Sequence, residues 1–211
     1  MARSPATVTR HRTPSLEVTT SVIGAAIRII GAEGLPALTA RRLAAEADVA
    51  PMTIYNRFGD MHGVFDAVFQ HGFELFVQNL DARSHSEDPV IDLHRMGRAY
   101  RTFALDNPEL YRFMFLSDIA DLAPTTGSSM AAARAFDALF TVVTRALDAR
   151  RFRSGDAAVI AQQVWAACHG AVALELLGMC EFAGADATYE SLLITVIRGL
   201  LDDPEESAAL V

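Results

Sequence analysis

Apolar residues recur every three or four positions along almost all of this 211-residue chain. This spacing places them on one face of an α-helix, whereas a half-buried strand alternates apolar and polar residues. Hydrophobic residues make up 51% of the sequence, which is enough to fill a substantial core. We therefore predict an all-α protein of about nine helices.

The composition argues against secreted and membrane proteins. The two cysteines, Cys168 and Cys180, have neither the density of a disulfide framework nor CxxC spacing, which favours a reducing, cytoplasmic location. His169 and Glu175 interrupt the longest apolar run. No segment therefore approaches the roughly 20 apolar residues that span a bilayer, and we expect no membrane partner.

Charge is divided unevenly along the chain. Residues 1–58 carry seven Arg and four acidic residues, a net charge of +3, whereas residues 59–211 carry 11 Arg and 22 acidic residues, a net charge of −11. A basic segment joined to an acidic one indicates that only the first meets a polyanion such as nucleic acid. Random scatter around an acidic mean explains the charge equally well, so charge alone leaves both interpretations open.

The N-terminal part of the chain predicts three helices. Leu16–Glu33 is followed by Gly34, which suits the left-handed position at a helix end, and Thr39 is a suitable N-cap for Ala40–Ala47. Proline can open a helix but not continue one, so a third helix is expected over Pro51–Phe58. Two short helices joined by a tight turn form a helix-turn-helix.

The order and spacing of these residues resemble the DNA-binding domain of the TetR family. The matching residues are Ala26, Ile30, Gly34, Leu38-Thr39, Leu43-Ala44, Ala47, Val49, Thr53-Ile54-Tyr55-Asn56-Arg57-Phe58 and Val64. Further along, Asn107–Phe115, Trp165, His169 and Gly170 are similar to the family's WHG-type C-terminal domain. The resemblance implies a homodimeric regulator of transcription, usually a repressor, that binds a palindromic double-stranded DNA operator. It also implies that a small effector releases the protein from the operator. The pocket lining predicted below indicates that this effector is apolar.

We predict four segments. These are a flexible basic arm at residues 1–14, the helix-turn-helix domain at 15–60, a helical effector-binding and dimerisation domain at 61–204, and a tail at 205–211. Asp60 is expected to cap a helix that runs to about Asp81 and carries a stripe of phenylalanines. Further helices are expected near Pro89–Leu105, Pro108–Leu116, Ser128–Arg151, Asp156–Cys180 and Thr188–Asp202.

The third helix is expected to enter the major groove, which admits one helix. Met52, Thr53 and Asn56 would face base edges, and the resemblance assigns Tyr55 to a phosphate. The predicted DNA-binding residues are Thr39, Arg41, Arg42, Pro51, Met52, Thr53, Tyr55, Asn56 and Arg57.

Several positions depart from the family pattern. Ala50 replaces the usual Ser N-cap of the third helix, a loss worth about 1 kcal/mol. Asp48 replaces a glycine in the turn, where aspartate tolerates a left-handed backbone better than most residues. Met61 replaces a phosphate-binding Lys, whereas Arg42 stands where an acid is common and would regain one positive charge.

Two further sites are predicted in the second half. A mostly apolar pocket with a few polar groups is typical of ligand sites, and the predicted lining is Tyr100, Phe103, Tyr111, Met114, Phe140, Trp165 and His169. Packing as ordinary core is the alternative for each of these residues. The last two long helices are apolar on more than one side, which predicts a four-helix dimer interface. Its residues would be Ile160, Val164, Ala167, Ala171, Leu192, Leu193, Val196 and Leu200.

No pattern of residues predicts catalysis. Cys168 and His169 are adjacent on a helix, so their side chains diverge by about 100° and form no dyad. HExxH, GxSxG, Gly-rich phosphate loops and metal-spaced Cys/His sets are absent from the sequence. We expect no catalytic residue, metal or cofactor. The alternatives are a DNA-binding regulator without a small-molecule effector, and a helical-bundle enzyme or carrier with an idle helix-turn-helix.

Overall fold

Helices form nearly all the regular structure in the computed structural model, which describes residues 15–81, 86–116, 125–180 and 184–202. The nine α-helices in these ranges are α1 (Ser15–Glu33), α2 (Ala40–Glu46), α3 (Pro51–Phe58), α4 (Met61–Asp81), α5 (Pro89–Asp106), α6 (Pro108–Tyr111), α7 (Thr126–Asp148), α8 (Ala157–Leu176) and α9 (Ala185–Leu200). A π-helical turn, Arg112–Leu116, continues α6. The all-α prediction is confirmed. The predicted arm at 1–14 and tail at 205–211 lie outside the described residues.

The boundaries of the first three helices follow from the residues at their ends. Gly34 takes the left-handed conformation after α1 with φ of 81°, and Asp48 takes it between α2 and α3 with φ of 54°. The hydroxyl oxygen of Thr39 accepts a hydrogen bond from the backbone N–H of Arg42 at 3.2 Å and so caps α2. Ala50 precedes α3 without any side-chain cap, as the sequence predicts.

The three helices enclose one apolar core, and we call them together the head. Val22, Ile29, Leu43 and Ile54 are fully buried in it. Because Ile54 is the buried residue of α3, the opposite side of that short helix faces outward.

The head joins α4 through a tight turn. The carboxylate of Asp60 accepts a hydrogen bond from the backbone N–H of Gly63 at 3.0 Å and caps α4. A Cβ atom at Gly63 would lie 1.9 Å from the carbonyl oxygen of Phe58, the last residue of α3. The end of α3 is therefore in direct contact with the first turn of α4.

The helices α4–α9 form the second region, which we call the bundle. Helix α4 packs most extensively on α7, and α5 lies against α4, α7, α8 and α9. The inner face of α8 carries Ile160, Val164, Cys168 and Val172, all buried at four-residue spacing. By length and composition α8 is also apolar enough to cross a membrane, a test that core helices of this kind pass as well.

Helix ends in the bundle differ from the predicted ones by up to four residues. Helix α7 stops at Asp148 rather than Arg151 because the backbone of Arg150 turns to a φ of 53° and buries Phe152. Helix α8 stops at Leu176 rather than Cys180, ahead of the left-handed Gly178. Phe152 then pairs with Leu201 in an isolated bridge, which fixes the end of α9 against the end of α7.

Candidate nucleic-acid interface and bundle cavity

The outward side of α3 presents most of the predicted DNA-binding residues together. Met52 is 64% exposed and Tyr55 is 44% exposed, and Pro51, Asn56 and Arg57 are exposed as well. Thr53 is half-buried beside them. A single helix with this mixed polar and apolar outer surface fits a major groove about 12 Å wide.

Two predicted residues of α2 lie at its exposed N-terminal end. Thr39 uses its hydroxyl oxygen as the helix cap, and a hydroxyl still has one hydrogen to donate elsewhere. Arg41 is exposed on the first turn of the helix. Both positions suit a phosphate contact next to α3.

The structure gives Arg42 a different role from the predicted phosphate contact. Its guanidinium donates to the Glu33 carboxylate at 2.6 and 3.0 Å and to the Glu46 carboxylate at 2.9 Å. Donating hydrogen bonds to Glu33 and Glu46 raises the pKa of Arg42, and accepting hydrogen bonds from Arg28 and Arg42 lowers the pKa of Glu46. The expected gain of a positive charge is neutralised here, and Arg42 instead ties α2 to α1.

The bundle contains an apolar cavity of about 330 Å³ between α4, α5, the π-helical turn, α7 and α8. Three of the predicted ligand-binding residues line it: Tyr100, Met114 and Trp165. Sequence reasoning missed most of the lining, which includes Phe69, Phe73, Phe76, Leu80, Leu93, Met96, Phe115, Ala132, Ala135, Phe136, Leu139, Val164 and Cys168. The regular spacing of phenylalanines along α4 is the sequence feature from which the α4 wall of the cavity could have been predicted.

Four of the residues predicted to bind a ligand do not line this cavity. Phe140 is 37% exposed on the outer side of α7, and the neighbouring Phe136 and Leu139 face the cavity instead. Phe103 lies behind the lining, where its ring packs on Phe76 at 5.1 Å between centroids. Tyr111 and His169 also lie off the cavity surface, where the Tyr111 hydroxyl oxygen is 2.9 Å from Nδ1 of His169.

A buried polar cluster lies directly behind Tyr100. The hydroxyl oxygens of Tyr100 and Tyr111 are 2.8 Å apart, and they lie 3.0 and 2.9 Å from Nδ1 of His169. Burial raises the pKa of both tyrosines and lowers the pKa of His169. All three groups are therefore uncharged at neutral pH.

Within a single chain, the residues predicted for the dimer face of α8 and α9 differ in exposure. Ile160 is buried, and Val164 lines the cavity of its own chain. Leu193 packs on α5, where a Cβ at Gly97 would lie 2.7 Å from both Leu193 methyl carbons. The other predicted residues are half-buried: Ala167, Ala171, Leu192, Val196 and Leu200. The apolar residues that α8 exposes instead include Ala166 and Leu174.

A helix-turn-helix head on a larger helical bundle is the architecture of a bacterial transcription regulator. Residues 22–68 match the family model described as bacterial regulatory proteins, tetR family. Residues 93–196 match the model described as tetracyclin repressor-like, C-terminal domain. The chain therefore belongs to the TetR family of DNA-binding transcription regulators and is not an enzyme.

Solved structures support the same fold. A protein of unknown function from Rhodococcus sp. RHA1 is 25% identical with a TM-score of 0.80, over 93% of this chain and 100% of that one. The TetR family regulator PfmR from Thermus thermophilus is 17% identical with a TM-score of 0.66, over 84% and 97% of the two chains. A TetR family regulator from Marinobacter aquaeolei is 18% identical with a TM-score of 0.68, over 88% and 96%. No curated protein matches the sequence.

Proposed function

We propose that this protein is a cytoplasmic, homodimeric repressor that binds a pseudo-palindromic operator and leaves it when an apolar small molecule enters the bundle cavity. One observation carries the proposal. The helix that forms one wall of the cavity, α4, is also the helix that follows the DNA-facing helix α3 through a tight turn.

The head supports sequence-specific binding to DNA. The N-terminal end of α3 would enter the major groove, where Met52, Thr53 and Asn56 meet base edges. Tyr55, Arg41 and Thr39 would contact phosphates, which set the position of the head and carry no sequence information. Two heads related by a twofold axis would then read half-sites about one helical turn, roughly 34 Å, apart.

The outer surfaces of α8 and α9 support a dimer. Leu174 is 49% exposed and Leu177, three residues further on, is 62% exposed, so the end of α8 carries an apolar patch that a second chain would cover. Gly170 stands inside α8, and a Cβ atom there would meet nothing within 4 Å. Glycine inside a helix costs about 0.5–1 kcal/mol relative to alanine, so close approach by a second chain is a physical reason for a glycine at this position. The four helices would pack across the twofold axis.

Contacts inside the bundle support a coupling between ligand and DNA. The side chain of Met114, which lines the cavity, lies against the backbone of α4, where a Cβ at Gly72 would be 2.7 Å from the Met114 sulfur. Nearer the head, Thr125 donates a hydrogen bond to the Asp66 carboxylate of α4 at 2.6 Å. A ligand that moves Met114 would therefore move α4 as well. A coupling of about 1–3 kcal/mol would change DNA affinity by roughly 5–150-fold.

The experiment measures DNA binding and cavity occupancy in the same sample. DNA flanking the protein's own gene is footprinted to find the operator, and a labelled duplex of that site reports binding by anisotropy. Trp165 is the only tryptophan in the sequence and lines the cavity, so its fluorescence reports occupancy. We expect compounds that quench Trp165 to release the duplex at the same concentrations. Quenching without release would reject the switch in favour of a regulator that has no small-molecule effector.

A further inference from the structure

The cavity has no charged group to offer a ligand. None of the described residues that line it is charged. On the neighbouring helices, Arg101 donates to the Glu175 carboxylate at 2.7 Å and to the Asp186 carboxylate at 2.6 Å. A carboxylate or phosphate inside the cavity would lose its hydration without gaining a counter-ion, which strongly opposes binding.

Arginines of two other elements that line the cavity also have acceptors within the bundle. Arg145 of α7 donates to the buried Asp92 carboxylate at 2.9 Å and to the Ser86 carbonyl oxygen at 2.8 Å. Arg112, in the π-helical turn, donates to Glu109 and to the carbonyl oxygen of Leu176 at 2.6 Å. These bonds hold the helices together, so recruiting either guanidinium to an anionic ligand would break contacts within the bundle.

The size and lining of the cavity indicate a ring-shaped molecule. Phe73, Phe115 and Tyr100 surround Phe76 at centroid distances of 5.3–6.3 Å with steep interplanar angles, so ring edges and faces both line the space. Such edge-to-face arrangements extend favourably to a further aromatic ring. A cavity of about 150 Å³ is known to hold benzene. The present volume of about 330 Å³ therefore suits roughly a dozen non-hydrogen atoms, the size of two fused rings with a short substituent.

The contacts of the polar cluster behind the cavity favour an arrangement that leaves one hydrogen to donate. If the ring hydrogen of His169 were on Nε2, only the two hydroxyl hydrogens would be available for the three contacts between the two hydroxyl oxygens and Nδ1. One contact would then bring two lone pairs together without a hydrogen between them. A hydrogen on Nδ1 instead satisfies all three contacts: Nδ1–H donates to both tyrosine oxygens, and one hydroxyl donates to the other. One hydroxyl hydrogen is then left over. Tyr111 is fully buried away from the cavity and Tyr100 lines it, so we assign the remaining hydrogen to Tyr100.

We propose that the cavity binds an uncharged, two-ring aromatic molecule whose hydrogen-bond acceptor, such as a carbonyl oxygen, receives the hydroxyl hydrogen of Tyr100. This inference rests on the proposed function, because it names the class of effector that the same cavity takes. It assigns a role to the histidine as well: His169 is a positioning residue that holds the tyrosine hydroxyl.

The test uses three probes of nearly equal size, measured by calorimetry on the full-length protein without DNA. 2-Acetylnaphthalene is uncharged and carries an acceptor, 2-ethylnaphthalene carries none, and 2-naphthoate is anionic at neutral pH. We expect the ketone to bind about 10-fold more tightly than the hydrocarbon, which corresponds to one hydrogen bond. Naphthoate should bind at least about 100-fold more weakly than the ketone, because its charge is buried without a partner. Naphthoate binding as tightly as the ketone would overturn the proposal of an uncharged ligand.

Two variants separate the hydrogen bond from the shape of the cavity. Tyr100→Phe should make the ketone and the hydrocarbon bind equally, while hydrocarbon affinity stays close to that of the unmodified protein. Ala135→Leu adds a side chain to the α7 wall and should weaken all three probes, with helical content measured by circular dichroism as a folding control. An unchanged preference for the ketone in Tyr100→Phe would overturn the role of Tyr100.

Operator release is measured separately, so the two proposals fail in different ways. Ketone binding without release supports the ligand class and rejects the switch. Release by naphthoate but not by the ketone supports the switch and rejects the ligand class.

Discussion

The head and the bundle place their functional side chains in opposite ways. In the head, one short helix buries Ile54 and turns Asn56 and Tyr55 outward, so the candidate DNA surface is the outside of a single element. In the bundle, the candidate site is an interior space shared by four helices and a π-helical turn. Which residues form a surface on one helix depends only on which side of that helix packs on the core. An interior space is determined by the rotation of every helix around it, so an error of one position exchanges a lining residue for an exposed one.

We expect the largest effect from a substitution at the junction of the head and the bundle, which should destabilise the head alone. Gly63→Ala would place a Cβ atom 1.9 Å from the Phe58 carbonyl oxygen, and we expect the head to lose about 3 kcal/mol of stability. DNA binding by anisotropy should fall accordingly, while unfolding of the bundle followed by Trp165 fluorescence should stay unchanged. Gly31→Ala is the matched control, because a Cβ at Gly31 meets nothing within 4 Å. Simultaneous loss of the Trp165 transition would show that the head and bundle fold as one unit.

A substitution on the outer face of α8 tests the bundle's proposed dimer surface. Leu174→Asp puts a charge on an exposed apolar residue, so the chain should remain folded but sediment as a monomer. Loss of bivalent binding should reduce operator affinity by about 100-fold. Ile91→Asp alters an apolar residue of similar exposure on α5 and should leave both the dimer and its affinity intact. A dimer that survives Leu174→Asp would move the interface to another face.

Within the head, two adjacent residues of α3 should behave differently. Tyr55→Phe removes a phosphate hydrogen bond and should weaken binding to every duplex by about 10-fold. Asn56→Ala should instead relax the preference at one or two base pairs, each worth about 1–3 kcal/mol. Binding measured on an operator library at moderate salt distinguishes the two patterns. Unchanged affinity and preference in both variants would place α3 outside the groove.

We expect the smallest effects from substitutions at the N-caps of the two short helices of the head. Ala50→Ser supplies the cap that α3 lacks and should stabilise the head by about 1 kcal/mol. Thr39→Ala removes the cap of α2 and should destabilise the head by a similar amount, about 1 kcal/mol. Hydrogen exchange of the α2 and α3 amides measures both changes. If the α3 amides exchange at the same rate in Ala50→Ser as in the unmodified protein, the helix begins at another residue.

Sequence alone predicted the head better than the bundle for physical reasons. Pro51 and the turn after Phe58 bound α3 locally, so its limits and outward residues follow from neighbouring residues. The ion pairs of Arg42 could not be predicted in this way, since its partner Glu33 belongs to another helix. Helix α8 is apolar around its circumference, so periodicity could not show that Val164 faces the cavity rather than a partner chain.

Helix α4 is also long enough to act as a lever. Its 21 residues, each rising about 1.5 Å, give it a length of roughly 30 Å, with the cavity-lining Leu80 near one end and the turn at α3 at the other. A pivot of about 5° at the cavity end would carry the attached α3 sideways by roughly 2.5 Å over that length. In a twofold-symmetric dimer the two displacements run in opposite directions, so the distance between the reading helices would change by up to about 5 Å, more than the length of a hydrogen bond. An angular change too small to disturb the packing of the bundle would therefore be enough to take both heads out of register with the DNA.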